Sequence, residues 1–285
     1  MSTNMTKAQR RDAARAEALA LQKKQQSREK RSRAIVLSLL GLGLVVLVVA
    51  VVMIFLEGQK APMEKVDNVP AGVVQDTGIP VGAEGTAGTT NEGAKTLDVY
   101  VDYMCPICGQ FESLNGASIT EMREAGDVTL VVHPVSILDR ASQGTEYSTR
   151  AAAAAAWVAD RAPEQFTAFH EAMFASQPEE NTAGLSDEQI AQVAQQAGVP
   201  AEAAAGIADG DAHDTFGEWV TASTEVAQED ERLLNAQGGF GTPTVLVEGE
   251  RFEGWQTPGA LTEALGGSTE SESEPSGEPS TEPSE

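Results

Sequence analysis

Cys105 and Cys108 stand two residues apart in Cys105-Pro106-Ile107-Cys108, and they are the only cysteines in 285 residues. Thiols at this spacing can close a disulfide with each other and with no other partner in the chain. So small a set does not staple a fold; it points to thiol–disulfide exchange. The pair follows a strand-like run, Leu97-Asp98-Val99-Tyr100-Val101-Asp102, and opens a helix-like run. With Cys105 at the helix N-terminus, Pro106 takes the first helical position, where its missing N–H costs nothing. The unpaired N–H groups there, with the helix dipole, favour a thiolate on Cys105. A thiol of low pKa is a nucleophile when reduced and a good leaving group when oxidised. Cys108, one turn in, is expected to be shielded and to act as the resolving thiol.

The elements that must position this pair are legible in outline. Thr96 to Asp102 alternates as a strand does, and Cys105 to about Ala125 carries Phe111, Leu114, Ile119 and Met122 at helical spacing. Val128-Thr129-Leu130-Val131-Val132 is rich in β-formers. Together these make a βαβ unit with parallel strands and a right-handed crossover. Residues 141–235 read as helical, with six alanines before Trp157, capping-box spacing at Ser186-Asp187-Glu188-Gln189, Gly198 at a helix C-terminus, and a last helix past Trp219 toward Leu233-Leu234. Thr244–Val247 and Arg251-Phe252 flank a hairpin turn at Glu248-Gly249-Glu250, and Thr257-Pro258 begins a final helix.

Outside this core the composition shifts. Residues 34–56 are uncharged and apolar, about 35 Å long as a helix, enough to cross a hydrocarbon layer of about 30 Å. The run is longer than a cleaved signal peptide's apolar stretch, so an uncleaved transmembrane anchor is expected. Residues 1–33 carry a net charge of +7 and the remainder −31. The positive-inside rule then makes 1–33 a cytoplasmic basic segment and leaves residues 57–285 outside the cell membrane, where disulfides persist. The acidic exterior speaks against nucleic acid or anionic lipid as its partner. Residues 57–95, rich in glycine and threonine, read as a tether with a short strand pair around Val73-Val74 and Ile79-Pro80-Val81. The tail, 267–285, holds only Gly, Ser, Thr, Glu and Pro, and is expected to be disordered.

The element order, the Asp102-Tyr103-Met104-Cys105-Pro106-Ile107-Cys108-Gly109-Gln110-Phe111-Glu112 stretch, Phe169-His170-Glu171-Ala172-Met173-Phe174 within the helical part, and Gly239-Phe240-Gly241-Thr242-Pro243-Thr244 resemble the thioredoxin fold in its DsbA-like branch. The likeness is to the membrane-anchored proteins of high-GC Gram-positive bacteria. It implies an α/β thioredoxin fold with a helical insertion over 72–266, preceded by one transmembrane helix and a linker at 57–71. It also implies a cis Thr242–Pro243 bond, with Pro243 packed on the disulfide and the Thr242 backbone pairing with a substrate peptide. The Thr242 hydroxyl is placed to hydrogen-bond the Cys105 thiolate. Pro106 and Ile107 tune the couple. Ile107 stands where the best-known DsbA pattern has His and offers the sulfur no hydrogen bond or charge, while Asp102 would raise the thiol pKa if it approached.

The implied activity is that of an anchored extracytoplasmic thiol–disulfide oxidoreductase that introduces disulfides into exported proteins and is recycled by a membrane oxidase or reductant. A reductase or isomerase of the same fold, for example in cytochrome maturation, and a non-enzymatic surface interaction domain are the alternatives. No cofactor is implied, and the irregular spacing of His133, His170 and His213 does not make a Cys₂His₂ metal site with the two cysteines. His170 reads as a packed residue of the insertion, His133 as a strand-end residue that could approach the active site, and His213 as a surface residue. Trp157, Phe166, Phe169 and Phe174 read as core.

Overall fold

The computed structural model describes residues 7–58 and 61–267. The chain divides into two units, Met1–Lys60 and Ala61–Glu285. The first is one helix, α1 (Lys7–Gly58). It is long and apolar enough to cross a membrane, with a mean hydropathy of 3.2 in its most apolar window. Side chains such as Ile35, Leu40 and Leu47 are exposed along it.

The second unit is built on a five-stranded sheet in the order β1-β3-β2-β4-β5. The strands are β1 (Ile79–Val81), β2 (Lys95–Val101), β3 (Val128–Pro134), β4 (Thr244–Val247) and β5 (Glu250–Arg251). β2 and β3 run parallel, with Leu97 opposite Leu130 and Tyr100 opposite His133. The other pairings are antiparallel. From Leu97 onward β2 is buried at every position, Asp98 included, because the sheet is covered on both faces. α2 (Pro106–Glu124) follows it, with Phe111, Asn115, Ile119 and Met122 buried. Leu114, assigned to the same stripe from sequence, is half exposed, since it projects beside the row that its neighbours form.

Between β3 and β4 come α3 (Tyr147–Arg161), α4 (Phe166–Ala175), α5 (Asp187–Gln196), α6 (Ala201–Ala208) and α7 (Asp211–Glu229). The six alanines of α3 are fully buried and α3 packs along α7, small side chains permitting close helix approach. Ser186 and Gln189 form the reciprocal capping box, and Gly198 takes a left-handed φ of 88° after α5. α7 ends at Glu229, short of Leu233. Phe166, Phe169 and Phe174 are buried, while Trp157 is only partly so; its indole N–H donates to the Ala203 carbonyl at 2.9 Å. The last helix of the described residues is α8 (Ala260–Ala264).

Residues 61–95 are not a free tether. Val74 bridges Gly78, but Ile79–Val81 does not pair with Val73-Val74; it joins the main sheet against β3. The loop after it is held by Arg123, whose Nη1 donates to the Gly82 and Ala83 carbonyls at 2.8 and 2.7 Å. Asn91 is tied to the Arg123 and Val128 carbonyls. A short 3-10 turn at Pro62–Lys65 packs near α7, with Met63 and Val66 half-buried against the core. The stretch read as a linker at 57–71 thus includes a seated turn. Beyond Gly267, the acidic tail lies outside the described residues.

Candidate active site

α2 starts at Pro106, with Cys105 as its N-cap in an extended conformation, φ −76° and ψ 114°. The proline fits because the first helical residue needs no N–H donor. The Cys105 N–H donates to the Asp102 carbonyl at 2.9 Å, and the Cys105 carbonyl accepts the Cys108 and Gly109 N–H groups at 3.0 and 3.2 Å. This turn places both thiols, Cys105 with 6% of its surface exposed and Cys108 with none. Both cysteines are free thiols.

The two sulfurs differ sharply in acidity. The Cys105 thiol falls from an ordinary 9.0 to about 6. The main cause is a hydrogen bond from the Cys108 thiol, which outweighs the cost of burial; the Thr242 side chain and the Cys108 and Ile107 N–H groups add to it. Burial pushes Cys108 well above 9.0, and its neighbour Cys105 pushes the same way. One sulfur is therefore ready to be an anion and the other is held as a thiol.

Facing them is the loop before β4. The Thr242–Pro243 peptide bond is cis, as predicted. The Cys105 thiol donates to the Thr242 carbonyl at 3.3 Å. The predicted bond from the Thr242 hydroxyl is not made here: Thr242 Oγ1 is buried and has no hydrogen-bond partner. Its pull on the Cys105 acidity belongs to the thiolate, which accepts a hydrogen bond from the hydroxyl far better than the thiol does.

Asp102 is buried completely. Its carboxylate accepts from the Met104 N–H at 2.8 Å and the Ser148 hydroxyl at 2.7 Å through Oδ1, and from the Leu138 N–H at 2.9 Å through Oδ2. Burial raises its pKa from 3.8 to about 6 despite these donors, and the charge on Cys105 adds to the rise. Thus Asp102 does approach Cys105 electrostatically, while its hydrogen bonds tie the active-site turn to α3.

The sequence reading missed three groups. Gln177, just after α4, donates from Nε2 to the Tyr103 and Cys105 carbonyls at 3.1 and 2.9 Å. Tyr103, fully buried, shares a hydrogen bond with His170 Nδ1 at 2.9 Å, and His170 Nε2 lies 3.2 Å from Glu112 Oε1. His170 is therefore packed, as read, but it also bridges α4 to the active-site helix. For the His170 bridge the sequence hint is Glu112 one turn after Cys108, which shares its helix face. The other histidines sit elsewhere. His133 lies in the sheet between Thr77 and Asp98, at 3.1 and 3.0 Å, with Tyr100 stacked on its ring. His213 is partly exposed. Among the described residues no cluster of His, Cys, Asp and Glu is arranged to hold a metal ion.

A five-stranded mixed sheet, an N-capping cysteine pair of split acidity and a facing cis-proline can exchange thiols with disulfides. A family model described as thioredoxin matches residues 86–266. The reduced DsbA of Mycobacterium tuberculosis is 30% identical with a TM-score of 0.53, over 66% of this chain and 90% of that one. The chain belongs to the thioredoxin family, among its DsbA-type thiol–disulfide oxidoreductases. MdbA of Actinomyces oris, itself a thiol–disulfide oxidoreductase, is 29% identical with a TM-score of 0.57, over 74% of this chain and 98% of that one. The serine/threonine-protein kinase PknE of Mycobacterium tuberculosis is 31% identical over 177 residues, 60% of this chain. This chain spans only 30% of the length of the PknE proteins it matches. The family resemblance read from Cys105-Pro106-Ile107-Cys108, the helical insertion and Thr242-Pro243 agrees with these matches in fold and in branch.

Proposed function

We propose that this oxidoreductase is anchored in the cell membrane by residues 34–56, with its N-terminus cytoplasmic, and introduces disulfides into exported proteins. The observation that carries the reading is the split between Cys105, at about 6, and Cys108, pushed well above 9.0. A substrate thiolate attacks Cys105 Sγ of the disulfide, and Cys108 leaves and takes up a proton that its buried site favours. A second substrate thiolate then attacks the mixed disulfide, and Cys105 leaves as its stable thiolate. Two electrons pass from the substrate to the couple, which a membrane oxidase must remove. Thr242 and Pro243 present the strand edge to the substrate, and Pro106 and Ile107 tune the couple.

Equilibration of the protein with glutathione buffers, followed by mass spectrometry of alkylated cysteines, tests the direction. An oxidase holds its dithiol in preference to its disulfide and has a potential well above thioredoxin's, the two extremes of the superfamily lying roughly 150 mV apart. A potential near thioredoxin's overturns the oxidase reading in favour of a reductase. Insulin reduction that survives Cys105→Ala overturns the assignment of Cys105.

A further inference from the structure

We propose that Gln177 is a positioning residue for Cys105, acting as a strap from the helical insertion across the entrance of α2, and that Gly109 exists to make room for it. The Gln177 amide nitrogen has two hydrogens, and two carbonyls receive them: Tyr103 at 3.1 Å and Cys105 at 2.9 Å. These carbonyls flank Met104, so the strap spans the turn that presents the cysteines. The Cys105 carbonyl already accepts from Cys108 and Gly109, which makes the amide an extra donor on the group that closes the first turn of α2.

Gly109 supplies the independent half of the argument. It lies inside α2 and is absent from the residues with positive φ, so no backbone conformation calls for glycine there. A glycine in a helix interior is destabilising relative to alanine. What it provides is space, because a Cβ at this position would collide with Gln177 Oε1. With Nε2 turned to the two carbonyls, Oε1 must lie over residue 109, and only glycine admits it.

The consequence is chemical because the same turn carries the Ile107 and Cys108 N–H groups that support the Cys105 anion. Holding those groups in place stabilises a thiolate and does little for a disulfide sulfur. The strap therefore favours the reduced form. This inference rests on the proposed redox role of Cys105.

The test uses the full chain and three variants, Gln177→Met, Gly109→Ala and the double substitution. Two quantities are read: the titration of the Cys105 thiolate by its ultraviolet absorbance, and the equilibrium with glutathione. Cys108 and Asp102, the titratable groups that face Cys105, are unaltered in all three. Each single substitution is expected to raise the thiol pKa and to move the glutathione equilibrium toward the disulfide by roughly fivefold, the value of one hydrogen bond. The double variant should shift no further than either single one, since both break the same contact. Gly109→Ala also covers the case in which Gln177→Met folds poorly, because alanine favours the helix. Variants that lower only the melting temperature while both redox readouts stay at the wild-type values overturn the strap, as does a double variant whose shift is the product of the single ones. A wild-type protein with neither a thiolate titration nor a glutathione equilibrium defeats the redox role itself, a distinct result.

Discussion

The Cys105 thiol and the Thr242 carbonyl meet at 3.3 Å although 137 positions separate them in the chain. The contact places the Thr242 hydroxyl beside the sulfur with no partner of its own while the sulfur keeps its proton. Replacing that hydroxyl by a methyl group keeps the shape. Thr242→Val is therefore expected to leave the melting temperature of the dithiol form unchanged or slightly higher, because an unsatisfied buried polar group disappears. The thiolate loses a donor, so the Cys105 pKa should rise above about 6. Absorbance titration checks it; an unchanged pKa would show that the hydroxyl does not serve the anion.

The depressed pKa of Cys105 carries a stability signature. Its folded pKa of about 6 lies below its ordinary 9.0. Such a group contributes stability that is complete above the unfolded value and is lost as pH falls through the folded one. The dithiol protein should therefore gain stability over its Cys105→Ser variant as pH rises from 6 to 9. Below pH 6 the difference should be flat. Cys108, held well above 9.0, adds nothing in this window. Urea denaturation of both proteins across the range measures the difference, and a gap that does not widen contradicts the assigned acidity.

Tyr103, His170 and Glu112 form a buried string, with Tyr103 fully enclosed. His170→Phe leaves the tyrosine hydroxyl without its partner, at a cost of about 1–3 kcal/mol. Tyr103→Phe removes the hydroxyl, so adding it to His170→Phe should cost less than the single effects summed, with a coupling of about 0.5–3 kcal/mol. Chemical denaturation of the four proteins gives the cycle. Strict additivity would mean that the string holds nothing together.

How much of this site the sequence discloses follows from range. Cys105 at a helix start, Pro106 after it and the capping box at Ser186 are rules of a few neighbouring residues, and they read directly. The cis Thr242–Pro243 bond follows from the family resemblance and from no local rule. Gln177 on Cys105 joins residues 72 positions apart, and no local pattern encodes such a contact, although a helical Gly109 beside a redox pair is a trace of it. Ile79–Val81 is legible as a strand, but its partner is β3 and not Val73-Val74, because the residues around it are small and polar and carry no signal of the main sheet. What seats the loop after it is Arg123 and Asn91 satisfying distant carbonyls and amides, a tertiary effect invisible to composition. His133 looked free to approach the cysteines, yet Thr77 and Asp98 hold it in the sheet.

Asp102 is a case where two effects oppose. Asp102→Asn removes a negative charge that acts on Cys105, so the thiol pKa should fall below about 6 and the glutathione equilibrium should move toward the dithiol. The same change mispairs one of three donors, because an amide nitrogen now faces Ser148, Met104 or Leu138. That loss costs about 1–3 kcal/mol. The folded pKa of Asp102, about 6, is raised above its ordinary 3.8, so the wild-type protein loses stability as pH climbs from 4 through 6, where the buried carboxyl must ionise. The asparagine does not ionise. At pH 4 the variant should therefore be the less stable protein by the mispaired bond alone, and by pH 8 the gap should have narrowed or reversed. Thermal melts at the two pH values decide it, and a constant gap would mean that Asp102 ionises without penalty in its buried site.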